Sequence, residues 1–124
     1  MSEANRWRLA TAWTLLIVAA CSIPGTDLPK IEIKLVDKIA HFGLFVVFAW
    51  LWLQASSRSL PGRLILVIGF GTAFGFLTEW YQGILPWERT PDMMDALANT
   101  IGLIVGSLAF MAAKRGKSGI RSNL

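Results

Sequence analysis

Four long stretches without an acidic or basic residue limit what this chain can fold into. They cover residues 9–26, 39–57, 64–78 and 96–113. Each is close to the roughly 20 residues that a helix needs to cross a bilayer. The third reaches full length if it continues past Glu79 to Pro86, which would end it. We therefore predict an all-α, four-helix transmembrane bundle that forms a single membrane domain over residues 1–124.

The composition argues against a soluble domain. Of the 124 residues, 54% are hydrophobic and 16% are charged, whereas about 25% are charged in an average soluble domain. A short chain has much surface for its volume, so these charges are too few to cover a water-facing bundle. The net charge of +4 is therefore not taken as a sign of nucleic-acid binding.

The distribution of charge predicts an orientation. Both termini and the loop between the second and third helices carry eight basic residues, opposed only by Glu3. These are Arg6, Arg8, Arg58, Arg63, Lys114, Arg115, Lys117 and Arg121. The other side has four basic residues against seven acidic ones. By the positive-inside rule, the N and C termini are predicted to lie in the cytoplasm and the acidic side to face outward.

The connecting segments carry weaker signals. The alternating residues 31–35 predict a short extended or interfacial segment. Residues 56–63 contain Pro61 and Gly62 and predict a polar turn. The basic tail, residues 114–124, is predicted to be disordered and to associate with anionic lipid.

Three predicted helices carry polar pairs near their outer ends. The pairs are Asp37 with His41, Glu79 with Gln82, and Asp95 with Asn99. Spacings of three and four residues place each pair on one helix face. Polar groups at this depth are costly unless they face one another. Together with Arg89 of the outer loop, we expect them to line an outward-facing polar pocket. The alternative is that they only join the helices by hydrogen bonds.

Two pairs of glycines predict close helix contacts. Gly71 and Gly75 in the third helix, and Gly102 and Gly106 in the fourth, are spaced four residues apart. Such small-residue faces let helix backbones approach closely. They are predicted to pack the bundle, and they could also support an oligomer.

Cys21 is the single cysteine, so it has no partner for an internal disulfide. Residues 18–21 follow Arg6, Arg8 and an apolar stretch, which is the arrangement of a bacterial lipoprotein signal. The alternative is a first helix that passes through a region of small residues. We favour the helix, because short matches of small residues are common in apolar helices.

The histidine and carboxylates of the predicted pocket could bind a metal, or the carboxylates could be neutralised by nearby basic residues. His41 with Asp37, Glu79 and Asp95 offers ligand types that suit zinc or manganese. However, the chain has one histidine, and Arg89 and Lys38 could neutralise the carboxylates. We therefore predict no metal and no cofactor.

Several ordered segments resemble the VanZ-like family of small bacterial membrane proteins. They are DKIAHF at 37–42, EWYQ at 79–82, RTPDMMD at 89–95, ANTIG at 98–102, and Gly106. The resemblance covers roughly residues 23–110. Phe45 is a departure, because the family often has a tyrosine there. The resemblance implies an inner-membrane location and a cell-envelope role linked to resistance to the glycopeptide teicoplanin, but no defined reaction.

Three classes of function follow. In the first, the pocket binds a lipid head group, a glycan or a lipid-linked wall precursor. Arg89 would then hold a phosphate or carboxylate, and Asn99, Gln82 and His41 would supply hydrogen bonds. The second is an integral membrane enzyme in which Asp37 orients His41 as a general base and Glu79 is an acid. The third is a proton-coupled transporter. The sequence contains no nucleophile motif or dinucleotide fingerprint that would favour an enzyme.

Overall fold

The computed structural model describes residues 1–22, 30–84 and 93–122, and side chains within 1–22, 35–84 and 93–116. These residues form four helices, α1 (Glu3–Cys21), α2 (Lys30–Ala55), α3 (Leu60–Ile84) and α4 (Met93–Ser122). The described ranges contain no strand. The predicted all-α, four-helix class is therefore confirmed.

Three of the helices are long and apolar enough to cross a membrane. The spans are Leu35–Ala55, Leu60–Ile84 and Met93–Gly116. Helix α1 is not among them; it includes Arg6 and Arg8, and its predicted span continued to residue 26, beyond the described part of the chain. Large apolar side chains of α3, such as Ile65 and Phe70, are more than 70% exposed. These exposed side chains suit contact with lipid.

Two predictions about connecting segments need correction. Residues 31–35 are helical rather than extended, since α2 already begins at Lys30. Five alternating residues are too few to outweigh a continuing helix, which satisfies its own backbone hydrogen bonds. The tail is helical rather than disordered as far as Ser122, where α4 ends. Lysine and arginine are good helix formers, so a basic composition does not end a helix.

The turn between α2 and α3 is shorter than predicted. It occupies residues 56–59, and α3 begins at Leu60. Pro61 lies in the first helical turn, where a missing N–H group costs nothing. The Arg63 backbone N–H donates to Ser59 O at 2.9 Å, which closes the first turn of the helix.

Helices α2 and α4 make the most extensive contact in the bundle, and glycines make it close. A Cβ atom added to Gly102 would lie 2.5 Å from Phe42 O. One added to Gly106 would meet Val46 O. Because these obstacles are backbone atoms of α2, the two helices can pack at this distance only if α4 has glycine at both positions.

Helix α3 joins the same contact through its own glycines. A Cβ atom at Gly71 would lie 2.7 Å from Leu103 Cδ2, and one at Gly75 would lie 3.2 Å from Asn99 Cβ. Beside them the fully buried Phe45 ring lies 5.6 Å from Phe48, measured between ring centroids. Phe45 therefore belongs to the apolar core.

Helix α1 is attached by indole hydrogen bonds. Trp13 Nε1 donates to Leu44 O, and Trp52 Nε1 donates to Thr14 Oγ1, both at 2.9 Å. A buried indole N–H group needs such an acceptor. Cys21, the last residue of α1, is buried in the core cluster. The helix is thus part of the bundle along its length.

Candidate functional site

Polar side chains from three helices converge at one end of the bundle. We call this the polar end, where α1 and α3 end and α2 and α4 begin. The exposed fractions are 3% for His41, 5% for Glu79, 3% for Gln82, 5% for Asp95 and 1% for Asn99. Buried polar groups are rare among apolar helices, so their concentration at one level sets this end apart.

A hydrogen bond between α2 and α4 fixes the histidine. His41 Nδ1 lies 2.8 Å from Asn99 Oδ1. Asp37 precedes His41 by one helical turn, and Asp95 precedes Asn99 by one turn. The helix period therefore brings both carboxyl groups to the same side of the imidazole.

The other imidazole nitrogen faces these two carboxyl groups. His41 Nε2 lies 3.6 Å from Asp37 Oδ1 and 4.0 Å from Asp95 Oδ2. Lys38 Nζ lies 3.5 Å from Asp95 Oδ1. From the sequence we expected Lys38 only to neutralise a carboxylate, and we did not predict its contact with α4. Four side chains of two helices thus form one group, which we call the Asp–His group: Asp37, Lys38, His41 and Asp95.

Helix α3 adds a buried carboxyl group next to the Asp–His group. Glu79 is buried, and Gly75, one turn earlier, faces Asn99. Thr78 between them donates its hydroxyl to Gly75 O at 2.8 Å. Glu79 and Asn99 therefore lie on the same side of the bundle interior.

Gln82 makes a different contact from the one proposed in the sequence. Its Nε2 donates to Cys21 O at 3.4 Å. Beside it, the Ser22 hydroxyl lies 2.8 Å from the Tyr81 hydroxyl. These contacts satisfy polar groups at the end of α1 and hold it against α3. Ser22 and Tyr81 were missed, because nothing in their spacing indicates a partner on another helix.

Arg89 lies outside the described residues, so its proposed place in the pocket remains a prediction. Within the described part, access to the Asp–His group is through the side chains of Asp37 and Lys38, which are 21% and 30% exposed. The group offers carboxylate, imidazole and ammonium functions within a few ångströms. It can accept protons, bind a cation or orient a polar ligand.

The ligand atoms that Asp37, His41 and Asp95 offer all lie within 4.8 Å of one another. They could hold a metal ion, although the sequence led us to predict none. A cleft of about 800 Å³ opens elsewhere, at the end of the bundle near the α2–α3 turn. Apolar and aromatic residues dominate its walls, including Trp7, Trp52 and Phe70. It is separate from the polar end.

Comparison with known proteins gives one match. The sequence model of the VanZ/LLP1 family matches residues 3–114, which include α1, α2, α3 and most of α4. The matched region is therefore longer than the roughly 23–110 segment whose motifs resemble the family, and it also includes α1. The comparisons with curated proteins and with solved structures give no match.

Proposed function

The chain belongs to the VanZ/LLP1 family, and from that premise we propose that its polar end binds the polar part of an envelope molecule. The ligand would be a lipid head group, a glycan or a lipid-linked wall precursor. The protein would lie in the bacterial inner membrane with this end facing outward. Binding there would underlie a role in glycopeptide tolerance.

The observation that carries the proposal is the burial of three ionisable side chains, His41, Glu79 and Asp95, at one level. A charged residue costs up to about 2.5 to 3.5 kcal/mol at the centre of a membrane helix, and less towards the helix ends, where these residues lie. A hydrogen bond between membrane helices contributes about 0.6 kcal/mol on average. Joining helices is therefore a weak reason to keep so many ionisable groups, whereas a binding site needs them.

The chemistry of the ligand follows from the groups that reach the surface. Lys38 Nζ is partly exposed beside Asp95 and could contact a phosphate or carboxylate. Arg89 is proposed to hold the same group with two parallel hydrogen bonds. Amide and imidazole groups behind them would contact hydroxyl or carbonyl groups. An anionic, hydroxyl-rich head group fits this set best.

A thermal-shift experiment tests the proposed binding. The full chain in detergent would be heated with a polyprenyl-pyrophosphate wall precursor, with phosphatidylglycerol or with a soluble glycan. We expect one of them to stabilise the protein, by about 2.7 kcal/mol at 100 times its dissociation constant. Arg89→Lys should weaken this effect, because lysine cannot form the two parallel bonds.

Arg58→Lys is the matched control, because Arg58 is exposed in the turn at the other end of the bundle. It should respond to the ligand as the natural sequence does. If the ligand stabilised the natural chain and Arg89→Lys equally, Arg89 would not be part of the binding site. No stabilisation by any of the three probes would contradict the proposal.

Orientation has its own test. Eight basic residues on one side predict that a reporter fused after Leu124 is active only in the cytoplasm. A reporter inserted near Glu88 should be active only outside. Activity of the first fusion outside the cytoplasm would place the polar end on the cytoplasmic face and contradict an outward-facing site.

One observation favours a second class of function. Asp37, His41 and Asp95 form a continuous series of ionisable groups, with neighbouring atoms no more than 4.0 Å apart. Such a series could carry protons in a transporter, or it could support His41 as a base in an envelope-lipid enzyme. Proton movement in protein-containing vesicles, or chemical conversion of the stabilising ligand, would favour these alternatives over simple binding.

A further inference from the structure

One nitrogen of the His41 imidazole makes a hydrogen bond to Asn99, and the other can bind a ligand. Nδ1 lies 2.8 Å from Asn99 Oδ1, which can only accept a hydrogen bond. Nδ1 therefore carries the hydrogen, and Nε2 of the neutral ring presents its lone pair. A backbone or side-chain carbonyl bound to the far nitrogen is the usual support of a histidine that ligates a metal.

The distances around Nε2 leave space for an ion. Asp37 Oδ1 and Asp95 Oδ2 lie 3.6 and 4.0 Å from Nε2. Both separations exceed the usual 2.7 to 3.2 Å of a hydrogen bond to nitrogen. Two ligands that are each about 2.1 Å from a tetrahedral metal lie about 3.4 Å apart. Asp37 is close to that separation from Nε2, and Asp95 would need to approach by about half an ångström.

The buried carboxyl group of Asp95 makes fewer hydrogen bonds than it can accept. Its Oδ1 is buried without a hydrogen bond among the described residues. Asp95 and Asn99 are 5% and 1% exposed, and both side chains contact His41. Lys38 Nζ lies 3.5 Å from Asp95 Oδ1. At that distance Lys38 forms an ion pair with Asp95 but no hydrogen bond, so the carboxylate can still accept a ligand.

We propose that Asp37, His41 and Asp95 bind one divalent transition-metal ion, Zn²⁺ or Mn²⁺, at the polar end of the bundle. One imidazole and two carboxylates are ligands that both ions accept. The ion would lie between the two carboxylates and in front of His41 Nε2. Asn99 is a positioning residue, since it orients the imidazole without contacting the ion.

The site bears on the proposed function without depending on it. Three protein ligands leave coordination positions open, and an ion held there adds positive charge where an anionic head group would bind. The side chain of Asp37, which is 21% exposed, gives the ion access from the surface. Metal binding is measured without lipid, so its failure would leave the ligand and susceptibility tests unaffected.

The test uses the full chain in detergent, stripped with a chelator and then given Zn²⁺ or Mn²⁺ alone. Elemental analysis should find about one ion per chain, and the thermal midpoint should rise. His41→Gln and Asp95→Asn should each lower the affinity by more than about tenfold, and Asn99→Ala by about 10- to 100-fold. Glu3→Gln, at the exposed start of α1, should bind as the natural chain does.

Because the chain has one histidine, nitrogen NMR reports this site unambiguously. With Zn²⁺ we expect hydrogen on Nδ1 and coordination at Nε2. An imidazole with hydrogen on Nε2, unchanged by either ion, would overturn the proposal, as would equal binding by the variants and the natural chain. Circular dichroism checks that each variant is folded. If His41→Gln does not fold, Asp37→Asn, at a more exposed position than His41, provides the same comparison.

Discussion

Replacing Gly102 or Gly106 by alanine should lower the free energy of unfolding by about 1 to 3 kcal/mol, the usual cost of overpacking a core. At Gly102 the added methyl group would lie 2.5 Å from Phe42 O, and at Gly106 it would meet Val46 O. Both obstacles are backbone atoms and cannot rotate away. The helices must separate, which also loosens the nearby contact between His41 and Asn99.

Gly43→Ala and Gly69→Ala are matched controls. They add the same methyl group to α2 and α3, where nothing lies within 4 Å of the new atom. Since alanine favours a helix over glycine by up to about 1 kcal/mol, the controls should be neutral or stabilising. Denaturation in detergent, followed by circular dichroism, measures all four variants. Equal stability at the packed and open positions would contradict the close approach of α2 and α4.

Helix number could be predicted from sequence because the bilayer imposes a simple rule. Backbone groups in lipid must be satisfied within the segment, so a long apolar run such as 39–57 implies a helix. Helix ends follow no such rule, since water can satisfy the backbone beyond the bilayer. The errors accordingly lie outside the apolar runs, at the start of α2 and in the basic tail.

Side-chain contacts within one helix of the candidate site could be predicted from sequence better than contacts between helices. A spacing of four residues places Asp37 with His41, whatever the rest of the fold does. Which side chain of α4 meets His41 depends on the rotation and depth of both helices, and the glycine contacts set these. The ion pair of Lys38 with Asp95 and the contact of Gln82 with Cys21 O depend on that packing. Neither contact could be predicted from spacing alone.

Changing Glu79 to glutamine should abolish function while leaving the fold intact. Glu79 is 5% exposed among membrane helices, and glutamine keeps its shape and its ability to hydrogen-bond. Replacing a buried ionisable group by a neutral one of similar volume is often neutral or stabilising. If the carboxyl group serves a binding site, its loss removes a charge or proton that an amide cannot supply. The proposed contribution to glycopeptide tolerance should then be lost, so that tolerance falls to that of cells lacking the protein.

Glu3→Gln is the control for this change. It makes the same chemical replacement at an exposed position in the first turn of α1, far along the chain from the polar end. Both stability and tolerance should remain at the level of the natural sequence. If this control also lost tolerance, the effect of Glu79→Gln would come from altered expression or net charge and not from the site.

The most direct measurement of whether the polar end is a functional site compares two properties of Glu79→Gln. These are the thermal midpoint of the purified protein in detergent and the glycopeptide susceptibility of cells that carry it as their only copy. We predict an unchanged or higher midpoint together with full loss of tolerance. An unchanged midpoint with unchanged tolerance would contradict the account and leave the buried polar residues with a structural role alone.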